Sequence, residues 1–202
     1  MAFTFFFRDQ EPLEHAIRSL MITASGRSRV RIWDAGCAMG PEPYTLAMLL
    51  AENMNQFAFR NLQIYATDHD APLLKTMAEA VYPLVELDRI PKDIFQKYFE
   101  PAEREGWFHV VEKIRSIFVI QHHDLLSLKP LRDDFSLVVC KNVLLHFQQA
   151  ERIEVYKMFH RSLESMGLLV NEHTQKLPAE VGHLFKQVIS DNQIHQKCEA
   201  RP

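Results

Sequence analysis

Two spacings of apolar residues alternate along this chain, and their boundaries predict strands followed by helices. Leu13, Ile17, Leu20 and Met21 recur at helical intervals, which predicts a helix over residues 11–23. Ser25-Gly26-Arg27-Ser28 reads as a turn. Residues 30–33 form a short apolar strand that ends at Asp34 and a glycine-bearing loop. Pro41 then opens a helix, at an early position where a missing N–H costs nothing. Residues 62–67 read as a second strand, and Asp70 is placed to cap a helix that starts at Ala71-Pro72.

Ile90-Pro91 marks a further boundary, followed by a short amphipathic helix over residues 92–99. Residues 107–113 and 116–121 read as two strands joined by a tight turn. Residues 135–140 are a buried strand, residues 148–163 a long helix, and Met166-Gly167 a turn into a strand over 168–171. From Val181 onward the period fits a helix or a strand equally. Strands separated by helices of ten or more residues indicate an α/β, doubly wound fold with a parallel sheet and right-handed crossovers. Ligands bind such sheets at the carboxyl ends of the strands. That directs attention to residues 34–42, 67–70, 123–125 and 141–147.

Composition narrows the classes. The chain has 202 residues, 23 Lys plus Arg against 26 Asp plus Glu, and so a net charge of −3. That balance argues against nucleic acid as partner, because such binders carry a basic footprint. A single domain suits this length. The three cysteines, Cys37, Cys140 and Cys198, form neither a disulfide framework nor a zinc spacing, and free thiols suit a reducing cytoplasm. No apolar run reaches the ~20 residues of a membrane span, so membrane insertion is not expected.

Five segments carry polar groups that a ligand could use. In Asp34-Ala35-Gly36-Cys37-Ala38-Met39-Gly40-Pro41-Glu42 a strand runs into small residues and then a helix start. Gly36 lets backbone approach a ligand, and the helix start offers free N–H groups. With only Gly36 and Gly40 this is not the dinucleotide fingerprint, so a nucleoside with a smaller polar tail fits better than a pyrophosphate. The plain alternative is an ordinary strand–helix turn. Asp68, at the end of the second strand, can accept two hydrogen bonds from a ribose diol. Together these make a nucleoside-containing cofactor the leading ligand.

In His122-His123-Asp124-Leu125-Leu126, strand alternation lets only His122 and Asp124 share a face, so no established metal pattern is formed. Asp124 reads as an acceptor for an adenine amino group, with a plain loop acid as the alternative. In Cys140-Lys141-Asn142-Val143-Leu144-Leu145-His146-Phe147, Asn142 and His146 sit where a transferred group would be presented. His146 also fits a simple helix-entry residue. Arg8, beside Phe5-Phe6-Phe7, can hold a carboxylate with its planar fork, or can pair with Asp9 or Glu11 at the surface.

These residues resemble a known family, the CheR-type chemotaxis methyltransferases, which methylate receptor glutamates with S-adenosylmethionine. The family signature Thr-x-Phe-Phe-Arg-Asp/Glu stands here as Thr4-Phe5-Phe6-Phe7-Arg8-Asp9. Its Gly-Glu-Glu-Pro-Tyr-Ser-Ile-Ala is similar to Gly40-Pro41-Glu42-Pro43-Tyr44-Thr45-Leu46-Ala47. Its Ala-Ser/Thr-Asp-Ile-Asp resembles Ala66-Thr67-Asp68-His69-Asp70, and its Tyr-x-Leu-x-Glu-Leu resembles residues 82–87. Its Cys-Arg-Asn-Val-x-x-Tyr-Phe resembles Cys140-Lys141-Asn142-Val143-Leu144-Leu145-His146-Phe147. Lys141 stands for the family Arg, His146 for its Tyr, Pro41 for its first Glu, and Ala2 for its Asn.

The resemblance implies a class I S-adenosylmethionine-dependent methyltransferase fold, Rossmann-like. It implies a mostly parallel seven-stranded sheet and a small β-subdomain near residues 107–121. It implies S-adenosylmethionine as cofactor and S-adenosylhomocysteine as product. By the same resemblance Thr4, Arg8, Gly36, Glu42, Asp68, Asp124, Leu125, Lys141 and Asn142 bind the cofactor, and Arg8 and His146 serve the methyl transfer. The helical domain that usually precedes the signature is expected to be missing, leaving residues 1–202 as one catalytic domain. The implied partner is the cytoplasmic domain of a chemoreceptor or another protein substrate. Two further functions stay open: methylation of a small-molecule acceptor, and a non-catalytic S-adenosylmethionine-binding regulatory module.

Overall fold

The apolar runs pair edge to edge, with β2 lying along β1 in parallel register from Val30↔Leu62 to Ala35↔Thr67. The computed structural model describes residues 4–172, 176–189 and 192–199. Its elements are α1 (Gln10–Thr23), β1 (Val30–Ala35), α2 (Pro41–Asn53), α3 (Gln56–Arg60), β2 (Leu62–Asp68) and α4 (Ala71–Glu79). Next come β3 (Val81–Pro83), α5 (Lys92–Tyr98), β4 (Phe99–Pro101), β5 (Trp107–Val110), α6 (Glu112–Arg115) and β6 (Phe118–His122). The chain continues through β7 (Phe135–Cys140), α7 (Gln149–Ser162), β8 (Leu163–Asn171), β9 (Phe185–Gln187) and β10 (Ile194–Lys197).

The main sheet has seven strands in the order β6-β2-β1-β7-β8-β10-β9. β6, β2, β1, β7 and β8 pair in parallel, while β10 and β9 close the edge antiparallel. Strand order reverses between β1 and β7, which opens a crevice at their carboxyl ends. A separate three-stranded sheet, β3-β5-β4, lies over α2's end of the molecule. Its Tyr82 hydroxyl donates to Met39 O at 2.6 Å, fixing the loop after β1. Among the described residues no helix is long and apolar enough to cross a membrane.

Alternation along β1 sorts the core into two layers. Ile32 packs with α1, α2 and the small sheet, and Trp33 and Ala35 pack with α7 on the other face. Phe6 is fully buried on the first side, edge-on to Tyr82 at 5.0 Å and to Phe99 at 5.6 Å. Burying such a ring contributes roughly 1.5–3 kcal/mol, enough to pin the segment before α1 to the body.

Three expectations need correction. The strands expected over 107–113 and 116–121 do not pair with each other. β5 joins the small sheet, α6 intervenes, and β6 joins the main sheet beside β2. The β-subdomain is therefore built from β3, β4 and β5, not from residues up to 121. Met166-Gly167 is no turn between elements: β8 runs through it, and the register beside β7 jumps from Phe135↔Leu163 to Leu137↔Leu168. Met166 takes a left-handed backbone, φ 63°, at this irregularity. The tail after Val181 is neither one helix nor one strand but a 3-10 segment, Ala179–Leu184, followed by β9 and β10. Ala2 lies outside the described residues.

Candidate active site

Every residue assigned to the site from the sequence lines one cavity of about 1130 Å³ at the carboxyl ends of the parallel strands. Thr4 and Arg8 come from the segment before α1, and Gly36 and Glu42 from the β1–α2 connection. Asp68 comes from the end of β2, Asp124 and Leu125 from beyond β6, and Lys141, Asn142 and His146 from beyond β7.

The β1–α2 connection works because two glycines adopt left-handed backbone. Gly36 has φ 93°, and a Cβ there would come within 2.3 Å of Val143 Cγ2. Gly40, the N-cap of α2, has φ 104°, and a Cβ there would meet the Tyr82 hydroxyl at 2.7 Å. Neither position accepts a side chain, and Gly36 lines the cavity with backbone alone. Cys37 also lines the cavity; burial pushes its thiol far above the usual range, so it stays protonated and inert.

Asp68 is nearly buried and set by the backbone. Its Oδ2 accepts from Ala38 N at 2.9 Å, and its Oδ1 accepts from Asp70 N at 3.0 Å. Its Oδ1 also lies 3.2 Å from His69 Nδ1; a carboxylate offers about four lone-pair sites, so Oδ2, with one donor, keeps capacity for a hydroxyl. Asp70, as expected, caps α4 through Leu73 N. Asp124 sits two residues beyond β6, at the N-cap of a 3-10 turn, and one of its oxygens accepts from Leu126 N at 2.8 Å.

The loop after β7 carries the charged end. Lys141 Nζ lies 2.9 Å from Glu42 Oε2, with side chains only 2% and 16% exposed. Asn142 takes a left-handed backbone, φ 59°, which its short side chain tolerates. Its N–H donates to Glu172 Oε2 at 3.1 Å, and its Oδ1 accepts from the Arg8 guanidinium at 3.1 Å. Burial raises the Glu172 carboxyl above the ordinary glutamate range. His146 ends a short 3-10 turn, Leu144–His146, three residues before α7, and is exposed at the cavity mouth with Leu145.

Some contributors escaped sequence reading. Asp34 was seen only as a strand end, yet it is fully buried beside these charges. Glu172 and Tyr82 each fix a site loop from a distance in sequence, and only the fold shows it. His69, His122 and His123 join the cavity rim. Among the described residues no set of three or more His, Cys, Asp or Glu could hold a metal ion.

A parallel sheet with this strand order, a glycine-lined loop after β1 and an acid after β2 define an S-adenosylmethionine-dependent methyltransferase. The family model described as the CheR methyltransferase, SAM binding domain, matches residues 2–194, and the chain belongs to that family. A probable chemotaxis protein methyltransferase of Rhizobium etli is 26% identical over 192 residues, covering 92% of this chain and 72% of the relative. A chemotaxis protein methyltransferase of Borreliella burgdorferi is 30% identical over 183 residues, covering 86% of this chain and 64% of the relative. The chain thus spans about two thirds of the length of these relatives. Among solved structures, a DszA carbon methyltransferase superposes with a TM-score of 0.50 at 16% identity, covering 80% of this chain and 35% of that one, a likeness of fold alone.

The residues present fit S-adenosylmethionine. Gly36 lines the cavity with backbone alone, Asp68 lines it with a carboxylate held by backbone N–H groups, and charged groups of both signs, Arg8, Lys141 and Glu42, line it too.

Proposed function

We propose that this chain is a protein-glutamate O-methyltransferase acting on the cytoplasmic domain of a chemoreceptor, and so works in the cytoplasm. The observation that carries this reading is the convergence of Arg8, Asn142 and His146 on one cavity that also holds Asp68 and the Lys141–Glu42 pair. The described chain acts as one catalytic domain, with the small sheet as its subdomain.

When bound, S-adenosylmethionine supplies a methyl group on a sulfonium, which a carboxylate oxygen attacks as the carbon–sulfur pair returns to sulfur. A glutamate side chain has an ordinary pKa near ~4.3 and is already ionised at neutral pH. No general base is required, which suits a cavity whose thiol is inert. The task left to the protein is alignment, worth several kcal/mol when reacting groups are held in line.

Asp68 takes the ribose hydroxyls on the lone pairs its backbone contacts leave open. Asp124 accepts from the adenine amino group with its second oxygen, and Leu125 packs against the ring. Lys141 and Glu42 meet the carboxylate and ammonium of the methionine end, with Thr4 and Asn142 at their side. Arg8 and His146, at the open end, donate hydrogen bonds to the acceptor carboxylate. His146 takes a place that a tyrosine holds in the family signature, and either ring nitrogen can serve as donor.

The test is transfer of a labelled methyl group from S-adenosylmethionine to a chemoreceptor cytoplasmic fragment. Label released by mild alkali marks a carboxyl ester and supports the reading. Label found only on small molecules, or no transfer by a chain that binds the cofactor, overturns it.

A further inference from the structure

Asp34 is the penultimate residue of β1 and lies on the face of Ile32, opposite the α7 face where Trp33 and Ala35 pack. It is fully buried, and among the described residues neither of its carboxyl oxygens has a hydrogen-bond partner. The charged and titratable groups around it come from three segments: Cys37 and Glu42 after β1, Asp68 at the end of β2, and Cys140 and Lys141 at the end of β7. Among these groups the one cation is Lys141, whose Nζ lies 2.9 Å from Glu42 Oε2 and makes no hydrogen bond among the described residues. Asp68 has its own donors in Ala38 N and Asp70 N. Asp34 has no hydrogen-bond donor among the described residues, and Lys141 offsets its charge only in part.

A fully buried carboxylate that no donor meets is strongly disfavoured and holds its proton. Burial, then repulsion from Glu42, keeps the Asp34 carboxyl well above its usual range, with Lys141 only partly opposing. Asp34 does not form the cavity wall, but Gly36, Glu42, Asp68 and Lys141, which it adjoins or faces, do. The cofactor and its product differ at one atom there: a cationic sulfonium becomes a neutral thioether.

We infer that Asp34 is the residue by which this chain senses that charge: it holds a proton in the empty and product-bound states and releases it to solvent when a sulfonium occupies the cavity. This rests on the cavity being the cofactor site. Protons balance over a turnover. Asp34 gives one to solvent as the sulfonium binds, the methyl leaves with no proton moved, and Asp34 regains one once sulfur is neutral. Binding of the sulfonium, but not of the thioether, then tightens as pH rises. Each unit by which the sulfonium lowers the Asp34 pKa gives about tenfold.

The experiment is calorimetric titration of the full chain with S-adenosylmethionine and with S-adenosylhomocysteine. Each is run in two buffers of different ionisation enthalpy over a pH series, for the wild type and for Asp34→Asn and Asp34→Ser. The expected result is proton release on sulfonium binding in excess of that for the thioether, by up to about one proton. The affinity ratio of sulfonium to thioether should rise about tenfold with pH. Both effects should vanish in the variants, whose folding is checked by thermal melting. Equal proton release for the two ligands in the wild type overturns the inference, as does an excess that survives in a folded variant. Failure of the wild type to bind either ligand overturns the cofactor-site reading and this inference with it.

Discussion

The Arg8 guanidinium donates to Asn142 Oδ1 at 3.1 Å, joining the segment before α1 to the loop after β7 across 134 residues of chain. One end of the chain thereby completes a site otherwise made by strand ends. Phe6, buried between Tyr82 and Phe99, holds that end in place.

Arg8→Ala is expected to lower methyl transfer by roughly 100-fold, the scale of misplacing a reacting group by about 1 Å. Cofactor affinity should largely survive. Arg8→Lys keeps the charge but loses the fork, and should recover only part of the rate. Single-turnover methylation set beside a binding titration checks both; a normal rate for Arg8→Ala would remove its assigned role.

The Lys141–Glu42 pair is buried, so removing one partner strands the other. Glu42→Gln is expected to cost about 3–5 kcal/mol of stability, far more than a surface pair. Denaturant melts of Glu42→Gln and Lys141→Met, compared with the double variant, measure the coupling. Additive losses would show that the two side chains do not depend on each other.

Gly36→Ala places a methyl against Val143 at a positive φ, so the loop must shift. Cofactor binding should weaken by at least about tenfold while the variant still folds, since backbone strain of this kind costs ~1–3 kcal/mol. Gly26→Ala is the control: its φ is also positive, 78°, but nothing lies within 4 Å of the added methyl. It should lose stability without losing affinity.

His195 in β10 is buried, and burial holds its pKa down to about 4. The folded chain therefore keeps this imidazole neutral where the unfolded chain, near ~6.5, would protonate it. With more protons bound unfolded than folded, stability falls as pH drops from ~6.5 toward about 4. The melting temperature of His195→Gln should show a shallower slope than the wild type across that window. Below it, carboxylates held low by hydrogen bonds, Asp134 from Arg132 and Glu52 from Lys97 and Tyr98, take over the acid sensitivity.

The strands at the site were the most legible part of the chain. β1, β2 and β7 are apolar runs bounded by polar or glycine-bearing loops, and the reading found each within two residues. The hairpin expected over 107–121 failed because α6, with four residues, is too short to show a helical period. Without it, β5 and β6 looked like neighbours, although they belong to different sheets. β8 was cut at Gly167 because a glycine after Met166 looks like a turn, whereas the sheet absorbs the extra residues as an irregularity. The cavity-lining candidates were legible as motifs, most of them at strand ends. Asp34, Glu172 and the Tyr82–Met39 bond were not, because burial and long-range partners leave no mark on local sequence.

The central claim is that the cavity anchored by Asp68 holds the nucleoside of S-adenosylmethionine. Its most direct test is calorimetric titration of S-adenosylmethionine and S-adenosylhomocysteine into the wild type and into Asp68→Ala. Both ligands should bind the wild type at one site, and the variant should lose that binding while melting cooperatively. A folded Asp68→Ala that binds as the wild type does, or a wild type that binds neither ligand, would contradict it.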